Sequence, residues 1–162
     1  LSLPGCDQAS AGMREQNMNY WLIAIPREDM EHCLKIGSYG RNSSAKLLLV
    51  KPGDKIACYV SKEVKIIALG EITRGHYEDN KKIFRASRTG IDAGGYRYSE
   101  PPLFPHRIDF VSEKLEDAVD FRPLIDKLSF IKKPKYWPAY IRRGFASMSE
   151  QDWNLICRAA KV

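Results

Sequence analysis

The segment from Ile131 to Phe145, IKKPKYWPAYIRRGF, carries the residue types whose spacing points most directly to a binding chemistry. Lys132, Lys133, Lys135, Arg142 and Arg143 stand there without an acid, and Tyr136, Trp137, Tyr140 and Phe145 are threaded between them. Cations neutralise phosphates and release their counterions. Flat rings stack on bases, at roughly 1–3 kcal/mol per base. The combination suits capture of a single-stranded or flipped-out base. A plainer account puts the rings in the core and leaves the cations as a solvated rim, and composition alone does not separate the two.

Catalytic motifs are poorly represented. The chain has no Gly-x4-Gly-Lys-Ser/Thr phosphate loop, no Gly-x-Gly-x-x-Gly after a strand and no Gly-x-Ser-x-Gly elbow. His32, His76 and His106 lack a partner at i+4, and His32 and His76 read as solvent-facing residues. Cys6, Cys33, Cys58 and Cys157 form no C-x-x-C pair. No metal and no cofactor is therefore expected, and the cysteines are expected to be reduced, mostly buried thiols. An enzyme would have to rest on Lys46 or Lys65 near Glu71, since a desolvated lysine beside a carboxylate can act as base or nucleophile. Solvated strand and helix charges explain those residues more simply.

Several elements must position these groups. NYWLIAIP is β-branched, aromatic and stopped by Pro26, which predicts a buried strand. PREDMEHCLKIG predicts a short helix ended by Gly37, with acids in its first turn. GSYGRNSS reads as a turn-rich loop holding Tyr39, and SSAKLLLV as one or two helical turns with a serine cap. KPGDKIACYVSKEVKIIALGEITRG predicts a hairpin, with strands Lys55 to Val60 and Val64 to Thr73. KKIFRA and FPHRIDFV read as strands, separated by a long Gly/Pro loop that suggests a functional flap or insertion. FRPLIDKLSFI reads as a helix and extension. Ser149-x-x-Asp152 then predicts a capping box opening a last helix that buries Trp153, Ile156 and Cys157.

The whole chain of 162 residues, 44% hydrophobic and 28% charged, is ordinary for one folded domain, which excludes collagen-like and disordered classes. Its net charge of +6 permits an anionic partner. Apolar runs such as Tyr20 to Pro26 fall far below the ~20 residues of a membrane span, so no membrane partner is expected and a cytoplasmic protein is. Residues 1–18 lack a basic region ahead of an apolar one and read as a disordered tail or expression remnant, leaving 19–162 as the domain.

The order YWLIAIP, KIGSYG, VKPGDKIACYV, KIIALGEIT, FPHRIDF and KYWPAYIRRGFASMSEQDW resembles the EVE domains of the PUA-like superfamily, relatives of the YTH readers, over about Asn19 to Val162. The resemblance implies an α+β fold, a PUA-like curved β-barrel of about six strands flanked by short helices, and a non-catalytic reader of a modified nucleobase such as N6-methyladenine or a 5-modified cytosine. It implies a base pocket drawn from Trp21, Tyr39, Gly40, Asn42, Ser43, Tyr59, Val60, Ser61, Phe104, His106 and Trp137. Tyr39 stands where the family often has a cage tryptophan, and Tyr98 or Trp137 would supply the second wall. Arg41, Lys132, Lys133, Lys135, Arg142 and Arg143 would meet phosphates. The implied partner is DNA or RNA, flipped or single-stranded, with a fused or separate effector protein. The alternatives are a small ASCH-related enzyme acting on RNA or a modified nucleoside, and an interaction module whose pocket takes a peptide.

Overall fold

The computed structural model describes residues 18–81, 83 and 104–162. The body of the KKIFRA strand, the loop 86–103 with Tyr98, and residues 1–17 lie outside the described residues.

Strand β1, Tyr20–Ile25, is buried at every position, so both of its faces are covered. Helix α1, Arg27–Ile36, has Glu28 and Asp29 in its first turn, turns Met30 and Cys33 inward, and stops at Gly37, whose φ of 72° is left-handed. Strand β2, Ser38–Arg41, follows where a loop was expected. Strands β3, Lys55–Val60, and β4, Lys65–Glu78, form the expected hairpin, with β4 running past Thr73. Strand β5 is His106–Asp120, α2 is Pro138–Ile141, β6 is Phe145–Met148 and α3 is Glu150–Ala160. The capping box of α3 is present as expected, with Ser149 Oγ accepting from the Asp152 N–H and the Asp152 carboxylate reaching back to the Ser149 N–H.

Two expected helices shrink to 3-10 turns. Leu47–Leu49 makes one turn without a side-chain cap, and only Leu47 of its three residues is buried. FRPLIDKLSFI forms one such turn, Arg122–Leu124. Its apolar spacing is helical, but the Asp152 carboxylate takes the N–H groups of Ser129 (2.7 Å) and Phe130 (3.3 Å), which a continuing helix would have needed.

The six strands form one sheet in the order β2-β5-β4-β3-β1-β6, with β1 and β3 parallel and all other pairs antiparallel. Strand alternation divides the core into two layers. Leu22, Tyr59, Ile66, Phe121 and Trp153 pack on one face beneath α3. Trp21, Tyr39, Ile56, Cys58, Phe110 and Phe145 pack on the other. Tyr39 of β2 stacks at 5.8 Å on Phe145 of β6, so the two outermost strands meet across that second face. It is therefore the concave side, and the sheet is a curled half-barrel, as the sequence implied.

Side chains stitch the seam between β2 and β6. Arg41 Nη1 donates to the Arg143 carbonyl (2.9 Å), Tyr39 Oη to the Gly144 carbonyl (3.2 Å) and Lys46 Nζ to the Phe145 carbonyl (3.1 Å). Three successive carbonyls at the start of β6 are thus satisfied by three donors from the other edge of the sheet. Among the described residues, no helix is long and apolar enough to cross a membrane. Cys33 and Cys58 are buried thiols outside any disulfide, whereas Cys157 stands in a disulfide, which corrects for that residue the expectation of a reduced thiol.

Candidate functional site

Because β1 and β3 run parallel, their C-terminal ends lie side by side, with Ala24 opposite Tyr59. The β3–β4 turn, carrying Ser61, Lys62 and Val64, forms one lip above them. Helix α2 and its preceding residue form the other, with Trp137, Pro138, Ile141 and Arg142. Together they enclose a pocket of about 350 Å³ on the convex side of the sheet. Trp137 leans on Phe121 (6.0 Å), and Phe121 meets Tyr59 edge-on (5.0 Å), so the pocket's rings are braced by the core. Burial pushes the Tyr59 phenol up to about 12, against a smaller opposing effect of Arg122. Its hydroxyl is therefore protonated at neutral pH and can donate as well as accept a hydrogen bond.

The turn is strained on the pocket side. Lys62 and Val64 have φ of 72° and 57°, and a β-branched residue in the left-handed region is an outlier that only its surroundings can hold in place. Val64 donates its N–H to the Val60 carbonyl (3.1 Å) and accepts at its own carbonyl from Phe121 (3.0 Å). The charged groups lining the pocket are Lys62 and Arg142, with no carboxylate among the described lining residues.

Arg143 follows the pocket at the seam, where Arg41 and Lys46 converge on it. The Lys46 ammonium is held below its usual range, first by burial and then by the positive charges of Arg41 and Arg143. Among the described residues none of the three pairs with a carboxylate. Neutral backbone carbonyls hold Arg41 and Lys46, so their charge is available to an anion.

The residues assigned from the sequence fall into separate groups. Tyr59, Ser61 and Trp137 meet in the pocket, with Arg142 at its rim. Tyr39 does not join them. It is 3% exposed on the opposite face of the sheet and belongs to a concave stack in which Phe145 also lies 5.0 Å from Trp21. Trp21 is committed there too, its Nε1 donating to Asp54 (3.0 Å). Val60 points into the same concave core and is fully buried. All three are buried on the face of the sheet opposite the pocket, because adjacent residues of a strand face opposite ways.

Gly40, Phe104 and His106 form a second group at the β2–β5 end, where a Cβ on Gly40 would come within 2.7 Å of the Phe104 carbonyl. Asn42 and Ser43 are exposed beyond β2, and Lys133 and Lys135 are exposed before α2. Lys132 lines a different pocket, described below. His76 is not solvent-facing: it is half-buried, stacked on His106, with Nε2 3.0 Å from the His106 Nδ1. The lysine beside Glu71 is Lys55, whereas Lys46 lies at the seam and Lys65 pairs across the sheet with Asp120. Sequence reasoning missed Ala24, Lys62, Val64, Pro138 and Ile141. The turn SKEV was legible as a turn but gave no sign that its apolar end faces a cavity.

The model of the EVE domain matches residues 19–159. The chain belongs to the EVE domain family. It is 30% identical over 151 residues to the UPF0310 protein PH1033 of Pyrococcus horikoshii, covering 86% of this chain and 97% of that one. Its fold is similar to that of human THYN1, solved in complex with 5-methylcytosine-containing DNA, at a TM-score of 0.55 and 12% identity, covering 89% of this chain and 98% of that one. It is also similar to the YTH domain of Zygosaccharomyces rouxii MRB1, solved in complex with N6-methyladenosine RNA. There the TM-score is 0.56 and the identity 14%, covering 89% of this chain and 87% of that one. At these identities the two structures establish a shared fold for this EVE domain.

Proposed function

We propose that this EVE domain reads a modified nucleobase in nucleic acid, holding the base against Trp137 in the pocket closed by Tyr59, Ser61 and Val64. The observation that carries the reading is the pocket itself: a ring wall braced by the core, small polar groups opposite it, and an uncompensated cationic track from Arg142 through Arg143 to Arg41 and Lys46. That two structures of the same fold were solved with 5-methylcytosine DNA and N6-methyladenosine RNA supports nucleic acid as the ligand class.

A methyl group on the base adds one apolar contact, and burying it contributes about 0.8 kcal/mol, or roughly fourfold in affinity. Larger discrimination requires that the unmodified base leave a pocket donor such as the Tyr59 or Ser61 hydroxyl unsatisfied. Extruding a base from a duplex costs a few kcal/mol, which a single strand avoids, so single strands should bind more tightly.

The test is a titration of labelled oligonucleotides, single-stranded and duplex, with and without N6-methyladenine, 5-methylcytosine or 5-hydroxymethylcytosine. Preference for one modified strand that disappears in Trp137→Ala supports the reading. Equal affinity for modified and plain strands, unchanged in Trp137→Ala, rejects it.

A second reading places the base at the β2–β5 end, and the left-handed backbone of Phe104, φ 52°, favours it, since a bulky residue there is rare outside functional sites. In that case Phe104→Ala would abolish discrimination and Trp137→Ala would not.

A further inference from the structure

Helix α2 has a pocket on each side. Trp137, Pro138, Ile141 and Arg142 face the candidate base site, whereas Tyr140 faces a second pocket of about 420 Å³ along the free edge of β6, with Lys46, Lys132 and Ser147. Among the described residues, strand β6 pairs with β1 on one side only. The Gly144 carbonyl is turned toward β1, where it accepts from the Ala24 N–H (2.9 Å), and the Phe145 carbonyl is turned outward to Lys46 Nζ (3.1 Å). The alternation of an antiparallel strand then places the Ser147 amide on the same outer edge. Ser129 and Ser149 form the floor, their hydroxyls 3.1 Å apart. The Asp152 carboxylate beneath them is 1% exposed and occupied by Ser129 N–H and O–H donors at 2.7 and 2.8 Å.

Two lysines and an outward-facing strand edge, with no carboxylate among the described lining residues, make an anion site. Arg41 and Arg143, close enough to depress the Lys46 ammonium, continue the positive surface back toward Arg142 and the base pocket. A helix with its side chains is ~10–12 Å across. The two pockets are therefore separated by more than the reach of a nucleotide's own phosphate, and a strand must pass from one to the other.

We infer that the β6-edge pocket binds a phosphodiester of the nucleic-acid strand flanking the captured base, through Lys46, Lys132 and Ser147. The inference rests on the nucleic-acid reading above and specifies that the ligand is a strand, not a free nucleoside or mononucleotide.

The test compares the salt dependence of binding to a short labelled single strand for the full chain and for the Lys46→Gln/Lys132→Gln variant. Glutamine at position 46 can still donate to the Phe145 carbonyl, and an unchanged unfolding midpoint verifies the fold. Loss of two single-strand phosphate contacts is expected to reduce the slope of log affinity on log salt by about 1.4. The full chain should then lose about sevenfold more affinity than the variant between about 50 and 200 mM salt. An unchanged slope in the variant, with Trp137→Ala still weakening binding, overturns the phosphate site and leaves the base reading standing. No binding by any form overturns both. If the double substitution weakens binding of a 5′-mononucleotide as much as that of the strand, the pocket holds a terminal phosphate and the flanking-strand assignment is wrong.

Discussion

Removing the Asp54 carboxylate should destabilise the domain far more than a turn residue ordinarily would. Asp54 is 2% exposed and accepts three N–H groups: the Asn19 amide (3.0 Å), the Trp21 indole (3.0 Å) and the Lys51 amide (2.9 Å). It therefore fastens the start of β1 to the turn before β3. In Asp54→Ala the Trp21 indole is left buried without an acceptor, at about 1–3 kcal/mol, while the two partly buried amides can recover water at about 1 kcal/mol each. The total is about 3–5 kcal/mol, against the 5–15 kcal/mol typical of a whole domain. For this chain length that corresponds to a fall of about 6–20 °C in the unfolding midpoint. Chemical denaturation with coincident fluorescence and circular dichroism transitions gives the free energy directly. A double-mutant cycle isolates the indole bond: Asp54→Ala should cost about 1–3 kcal/mol less in a Trp21→Phe background than in the native chain. A loss below about 1 kcal/mol, or no coupling between the two positions, would refute the reasoning.

Other consequences follow from single contacts. Gly70→Ala places a Cβ 2.3 Å from the Val111 carbonyl in the β4–β5 ladder, so the variant is expected to unfold at a markedly lower denaturant concentration or fail to express in soluble form. Burial pushes the Cys58 thiol up to about 12. It should resist thiol reagents at neutral pH until the protein is denatured. Because the unfolded thiol ionises near its ordinary value of 9.0 while the folded one stays protonated to about 12, stability should fall as pH rises through that window. Arg41→Gln removes the larger of the two cationic effects on Lys46, so the Lys46 ammonium should titrate at higher pH, read from its side-chain NMR signal.

What could be read from the sequence was what is local. The hairpin announced itself through Pro52-Gly53-Asp54 and alternating apolar residues, and α3 through Ser149 and Asp152, because turn and cap chemistry lies within a few residues. Strand β2 could not be seen, since SYGR becomes a strand only by pairing with β5, with Ser38 opposite Asp109. The same pairing decides which way Tyr39 points, onto the concave face and away from Trp137. The segment after β5 misled for a related reason: its helical spacing is real, but Asp152 of α3 captures the amides that would have continued the helix. Trp137 with Ser61 was reached through the resemblance and the Lys/Arg-aromatic composition. Val64 and Ile141, which close the same pocket, looked like ordinary core residues.

The central claim, that Trp137 is the wall on which a base stacks, is most directly tested by following the three tryptophan indole N–H signals in an NMR titration with a modified single-stranded oligonucleotide. Trp21, bonded to Asp54, and Trp153, fully buried, are internal references. The expected result is a ring-current shift of the Trp137 signal that saturates with binding while the other two stay in place. An oligonucleotide that binds with the Trp137 signal unmoved would contradict the account.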